Sequence, residues 1–185
     1  TIREKVGIRE ISIRDGVLLL NNSPFKLKGV SMHEIHPDRG RALTKDDWLA
    51  DLIMAKKANI NFIRTAHYPP HPVFFELCDS LGFYILCQIS FNYSPPNVTD
   101  NLDYLPDLLS RTEATISRFK NRPSVITWGV GNENLYADIY KKVAEYTEQR
   151  DLTRPRTFPQ APLDFLKEWK ILPPVFNVLD PHYLL

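Results

Sequence analysis

The sequence predicts an α/β fold in which short apolar strands alternate with amphipathic helices around a parallel sheet. Three observations carry this expectation. Short apolar runs recur along the chain, segments with helical period lie between them, and polar residues gather just after the runs.

The opening from Ile8 to Leu20 alternates around Asp15-Gly16 and reads as a hairpin, with a second turn at Asn21-Asn22-Ser23-Pro24. Residues 1–24 are therefore expected to form a lead-in β-hairpin, and residues 25–185 the main domain. Phe25 to Ser31 reads as the first strand of the parallel sheet. Thr44 is a good N-cap for the first helix, with Asp46 and Asp47 in its first turn and Trp48, Leu49, Leu52 and Ile53 expected to face the sheet. Ile60 to Thr65 reads as strand two, and a helix from Pro72 to Ser80 should stop at Gly82. Phe83 to Gln88 reads as strand three. A polar loop around Pro95-Pro96 follows, of a length usually kept for a function. The third helix places Leu105, Leu108, Leu109, Thr112, Ile116 and Phe119 on one face and ends at Asn121-Arg122-Pro123. Val125 to Val130 reads as strand four, and Tyr136 to Arg150 as the fourth helix, with Asn134 the better candidate for its N-cap. Arg156 to Phe158 and Phe176 to Leu179 are expected as strands five and six, around a short helix near Phe165 to Trp169.

These units suit either a closed (β/α) barrel or an open doubly wound sheet. The open sheet would want a Gly-rich phosphate loop after the first strand, and Gly29-Val-Ser-Met-His supplies no second glycine in place. The expectation is a (β/α)8 TIM-barrel type, incomplete, with about six βα units and strands seven and eight missing.

Composition narrows the partners. The 185 residues carry a formal net charge of +1, with 43% hydrophobic and 24% charged residues, and no concentrated basic face or tail. That argues against a nucleic-acid or anionic-membrane partner and points to a neutral small molecule. Cys78 and Cys87 sit in apolar surroundings and read as buried small hydrophobes rather than as a disulfide framework or metal ligands. No apolar stretch reaches ~18 residues, and the first residues look like the middle of a longer polypeptide. The compartment stays open on this reading.

The polar residues that follow the strands are His33-Glu34-Ile35-His36, Arg64-Thr65-Ala66-His67-Tyr68, Gly131-Asn132-Glu133-Asn134 and Asp180-Pro181-His182-Tyr183. In a (β/α) barrel these ends form one mouth, where function collects. Arg64 in a buried strand needs a partner, either a structural ion pair or a catalytic carboxylate that it orients. His33 and His67 read as site residues or satisfied core histidines, whereas His36 and His71 read as loop or surface residues. Glu133 is the sharpest signal. A carboxylate at a strand end beside an amide, after glycines that let the backbone bend, suits a general acid/base in glycosyl transfer.

At these motifs the chain resembles the central domain of glycoside hydrolase family 2, and within it the bacterial β-galactosidases. Leu27-Lys-Gly-Val-Ser-Met-His33-Glu34-Ile-His-Pro, Asn61-Phe-Ile-Arg64-Thr-Ala-His67-Tyr-Pro-Pro-His-Pro and Asn121-Arg-Pro-Ser-Val-Ile-Thr-Trp-Gly-Val-Gly-Asn132-Glu133 carry the resemblance. It implies that Glu133 is the general acid/base of a retaining mechanism and that Asn132 hydrogen-bonds the sugar 2-hydroxyl. It implies too that His33 and His67 contact the substrate, that Arg64 supports a catalytic carboxylate, and that Tyr183 lies beside the nucleophile. The expected partner is thus a carbohydrate substrate, a terminal β-galactoside. The alternatives are a β-glucuronide, the substrate of another β-glycosidase of the same family, or a non-catalytic carbohydrate-binding barrel. Departures are also visible. The family's nucleophile is a glutamate on strand seven, so this chain alone is expected to be inactive. Its Asp-Glu pair at the end of strand three reads Gln88-Ile89 here. Its magnesium ligands after that strand find no counterpart in Ser90-Phe-Asn-Tyr-Ser-Pro, so neither a metal site nor a cofactor is expected. A barrel lacking two strands would expose edges, which makes a homo-oligomer one expected state.

Overall fold

The computed structural model describes residues 6–91, 94–134, 136–160 and 175–181. A small antiparallel sheet opens the chain, with β1 (Ile11–Arg14), β2 (Val17–Leu20) and β3 (Ser23–Pro24) in that order. Arg14 pairs with Val17 across Asp15 (φ 51°) and Gly16 (φ 74°), the left-handed pair that a two-residue hairpin needs to match strand twist. Asn21 (φ 50°) and Asn22 (φ 63°) repeat the device. The second turn is therefore shorter than the sequence suggested: Ser23 and Pro24 pair with Leu20 and Leu19 as a third strand.

The main body is a parallel sheet of β4 (Gly29–Met32), β5 (Phe62–Thr65), β6 (Tyr84–Ile89), β7 (Val125–Val130), β8 (Arg156–Gln160) and β9 (Val178–Pro181). Strand order follows chain order throughout, and helices fill the crossovers from β4 through β8. Every strand expected from the sequence is present. The first and last begin later, at Gly29 and Val178. Before β4, Asn61 draws the segment into bonds with its side chain instead of a ladder: Oδ1 accepts from Lys28 N–H at 2.8 Å and Nδ2 donates to Lys26 O at 3.1 Å.

The helices are α1 (Lys45–Lys57), α2 (Pro72–Leu81), the short α3 (Pro96–Thr99), α4 (Leu105–Phe119) and α5 (Asp138–Arg150). Thr44 caps α1 in a reciprocal box with Asp47. Trp48 and Leu52 are its buried residues, while Ile53 is 42% exposed, which corrects the expectation that it faces the sheet. The Pro95-Pro96 loop holds structure that the sequence reading missed, α3 and a 3₁₀ turn over Leu102–Tyr104. Helix α5 starts two residues late. Its N-cap is Ala137 with no side-chain bond, because Asn134 turns its Oδ1 to the N–H of Asn132 instead (3.2 Å). The short helix expected near Phe165 lies outside the described residues.

Two apolar clusters fill the space between sheet and helices. One joins Trp48, Phe75, Phe119, Ile85 and Trp128, and the other joins Phe91, Tyr140, Phe158, Val130 and Phe176. Each fully buried large side chain contributes on the order of 1.5–3 kcal/mol. On the opposite face of the sheet, Phe62, Arg64, Leu86, Thr127 and Thr157 line a cavity of about 690 Å³ that Leu18 of the lead-in segment and Phe25 just after it border. Arg9 ties that segment to the body, its guanidinium donating to Pro123 O at 2.7 Å and to Val125 O.

Candidate active site

Strand β7 ends at Val130, and the next residues reverse direction. Gly131 has φ 79° and Glu133 φ 50°. A non-glycine residue in this region costs roughly 1 kcal/mol or more, and such strain collects at functional sites. The turn is held from both sides: the Glu133 N–H donates to Pro159 O of β8 at 2.9 Å, and Asn134 Oδ1 caps the Asn132 N–H. Only one of the two glycines supplies conformational freedom. Gly129 lies within the strand, where a Cβ would stand 2.6 Å from Leu86 Cδ2, so its role is close approach. At Gly131 a Cβ would meet Phe158 and Tyr140 at 2.9 Å in addition to the unfavourable φ. Gly131→Ala is accordingly expected to cost about 1–3 kcal/mol in urea unfolding and to move the Glu133 turn, read as shifted Asn132 and Glu133 amide resonances.

Two buried side chains reach this turn from neighbouring strands. Arg64 of β5, 9% exposed, donates through Nη2 to Oδ1 of Asn132 and through Nη1 to Ser31 Oγ at 3.4 Å. Guanidinium groups only donate, so Oδ1 of Asn132 faces Arg64 and its Nδ2 is the end free to orient elsewhere. Arg64 thus bears on the neighbour of Glu133. Gln88 of β6, fully buried, donates through Nε2 to Gly131 O at 2.6 Å, and its Oε1 lies 3.1 Å from His67 Nδ1.

His67 follows β5 across a cis Ala66–His67 peptide bond. Its ring stands edge-to-face on that of His33, with centroids 5.1 Å apart. Burial, then the charge of Arg64 and the proximity of His33, lower its pKa from the ordinary histidine value; the Gln88 bond and Glu133 oppose them without prevailing. The imidazole is therefore neutral near pH 7. Glu133, half-buried, is near enough to His67 to act on its charge, and its neighbour Asn132 is buried.

The structure thus brings together Arg64, His67, His33, Asn132 and Glu133 at one end of the sheet. Tyr183 and His182 lie outside the described residues. His36 does not join the group: it closes a surface turn with Gly40 and sits 3.9 Å from Asp47. His71 is exposed, as expected, and caps α2 while stacking on Trp48 at 5.5 Å. The sequence reading missed Glu34, whose Oε1 accepts from Trp48 Nε1 at 2.9 Å and whose carboxyl burial pushes up in pKa; it pins the segment that carries His33. It also assigned no bond to Gln88. A signal existed, since Gln88 shares with Leu86 the two-residue period that points to the sheet's inner face.

Ser90 is followed by Phe91, which is buried and stacks on Tyr140 with centroids 4.7 Å apart. Among the described residues no group of three His, Cys, Asp or Glu side chains is placed to share a cation.

Comparison with known proteins follows the same lines. Residues 11–172 match the family model of the glycosyl hydrolases family 2, TIM barrel domain. The chain belongs to that family, and its parallel sheet and helices are those of a TIM-barrel domain. A β-galactosidase of Psychromonas ingrahamii is 35% identical over 155 residues, which cover 82% of this chain and 15% of that protein. One of Photobacterium profundum matches at 35% over 155 residues with the same coverage. The chain thus spans about 15% of the length of these curated relatives. Among solved structures, the Ruminococcus gnavus β-glucuronidase in complex with uronic deoxynojirimycin superposes with a TM-score of 0.88 at 31% identity, covering 96% of this chain and 32% of that one. The β-D-glucuronidase of Dictyoglomus thermophilum does so at 0.77 and 30% identity, covering 86% and 30%.

Proposed function

We propose that this chain forms part of the catalytic barrel of a retaining β-glycosidase acting on terminal β-D-galactosides, with Glu133 as general acid/base. The observation that carries the reading is the strained, doubly anchored turn that holds Glu133 beside Asn132, Arg64 and His67 at the C-terminal end of the sheet. On this reading the six parallel strands belong to an eight-stranded barrel, and the nucleophilic carboxylate comes from a seventh strand outside these residues. β4 and β9 each pair on one side only among the described residues, which supports that arrangement.

The chemistry runs in two displacements. The nucleophile attacks the anomeric carbon as its bond to the aglycone oxygen breaks, and Glu133 gives its proton to that oxygen. The Glu133 carboxylate then takes a proton from water, whose oxygen attacks the anomeric carbon and releases the first carboxylate. Asn132, its Oδ1 held by Arg64, offers Nδ2 to the sugar 2-hydroxyl, and His33 and the neutral ring of His67 contact the remaining hydroxyls.

The curated relatives named β-galactosidase favour galactose. The superposition on β-glucuronidases supports a second reading, a β-glucuronide substrate. Nitrophenyl β-galactoside and β-glucuronide assayed on the protein at its native length separate them. A kcat/KM at least about tenfold higher for the galactoside, or ~1.4 kcal/mol of transition-state preference, is expected. The reverse ratio selects the glucuronide reading. Saturable sugar binding without turnover of either would replace both with a carbohydrate-binding barrel.

A further inference from the structure

We propose that Gln88 is a positioning residue that holds His67 in its Nδ1–H tautomer, so that the neutral ring meets a ligand with Nε2 as a hydrogen-bond acceptor. That the ligand is a sugar hydroxyl rests on the glycosidase reading; the tautomer rests on geometry alone.

The argument is one of forced donors and acceptors. The Gly131 carbonyl can only accept, so the end of the Gln88 amide 2.6 Å from it is the NH₂ group. The other end is then Oε1, which also only accepts, and it lies 3.1 Å from His67 Nδ1. Nδ1 must carry the hydrogen. In a neutral imidazole that leaves Nε2 bare. The amide cannot escape by turning over, since Oε1 would then face the Gly131 carbonyl, acceptor against acceptor. Nor can it drift. Gln88 is fully buried, sits within the central strand β6, and donates its backbone N–H to Thr65 Oγ1 at 3.0 Å.

The groups around the ring keep it neutral. Arg64 on β5 and His33 after β4 disfavour a second proton, as burial does, while Glu133 after β7 favours it and is outweighed. An acid at position 88 would accept from Nδ1 equally well, but it would lose the bond to Gly131 and stabilise the imidazolium. An amide satisfies both the neutral ring and the Glu133 turn with one side chain. One side chain in this way sets the tautomer of His67 and adds a third anchor to the turn at residues 131–133. His67 then recognises a hydroxyl by accepting its hydrogen, and its neutral ring has no proton at Nε2 to give to a departing oxygen.

The test is a long-range proton–nitrogen correlation of ¹⁵N-histidine-labelled full chain near pH 7.5, with His67 identified by its loss in His67→Gln. The expected spectrum shows a protonated Nδ1 and a bare Nε2. In Gln88→Leu the ring should relax toward the Nε2–H form that free histidine prefers. In Gln88→Glu the Nδ1–H form should persist, with the His67 titration midpoint raised by about one unit or more. An Nε2–H ring in the unaltered chain overturns the proposal, as does an unchanged Nδ1–H ring in a folded Gln88→Leu. If the leucine variant does not fold, the unaltered chain and Gln88→Glu decide, since a midpoint that fails to rise there also contradicts the contact. None of these readouts needs turnover. An inactive protein with the expected tautomer would sink the glycosidase reading and leave this one standing.

Discussion

Glu133→Gln is expected to lower kcat for a nitrophenyl β-galactoside by about 10²–10⁴-fold in the protein at its native length. The amide is nearly isosteric with the acid, so the loss reports proton transfer rather than shape. Nitrophenolate is a good leaving group and departs with little help, so the step that suffers most is the second, where water needs a base. The glycosyl-enzyme should accumulate, and KM should fall together with kcat. Stability should hardly change. Glu133 is half-buried, and its backbone N–H to Pro159 O bond, one of those that hold the turn, is kept by the substitution. A kcat within a few fold of the unaltered protein would remove Glu133 from the chemistry.

Asp151→Ala is expected to cost about 3–5 kcal/mol of folding stability, the largest single effect foreseen outside the site. Asp151 and Arg154 are 7% and 6% exposed and lie at the end of α5, behind the start of β7. Oδ2 of Asp151 accepts from Arg154 Nη1 at 2.6 Å and from the Trp128 indole at 2.9 Å, and Oδ1 accepts from Thr153 N–H at 2.9 Å and its hydroxyl at 2.6 Å. Arg154 in turn donates to Val125 O at 2.7 Å and Lys120 O at 2.6 Å. Removing the carboxylate leaves a buried guanidinium without its counter-charge and an indole N–H without its acceptor. Burial by itself would raise the Asp151 pKa, but the bonds from Thr153, Arg154 and Trp128 carry it below the ordinary carboxylate value. The group therefore contributes stability that is fully present above the unfolded-state pKa of ~3.9 and is lost as pH falls through the lower folded value. Urea unfolding at pH 7 should show the full difference between Asp151→Ala and the unaltered chain, and the difference should shrink below about pH 4. A gap that is small at pH 7, or that widens in acid, would contradict this account.

The parallel sheet was legible because its strands are near-continuous apolar runs separated by helices with clear caps. Thr44 and Gly82 both end elements where the sequence places them. What escaped was set by tertiary partners. Asn134 looks like an N-cap, but its carbonyl oxygen is taken by the Asn132 amide, so α5 begins at Asp138 without a side-chain cap. Ile53 fits the helical stripe of α1, yet it lies 42% exposed, because Trp48 and Leu52 take the buried face of the helix. In the site, Glu133, Arg64 and His67 were recognisable as polar residues at strand ends. The bonds among them were not, because a one-dimensional pattern cannot say that Arg64 meets Asn132, 68 residues away. Gln88 was the hardest to read. It appears in the sequence as a missing acid, and only the placement of Gly131 O and His67 Nδ1 at its two ends gives the amide a purpose.

The central claim is that Glu133 serves as acid/base at a retaining site. Its most direct test is to add azide to Glu133→Gln with nitrophenyl β-galactoside and to determine the anomeric configuration of the product by proton NMR. A small anion needs no general base to attack the glycosyl-enzyme, so turnover should recover and β-galactosyl azide should accumulate. An α-azide, or turnover that azide leaves unchanged, would contradict the assignment.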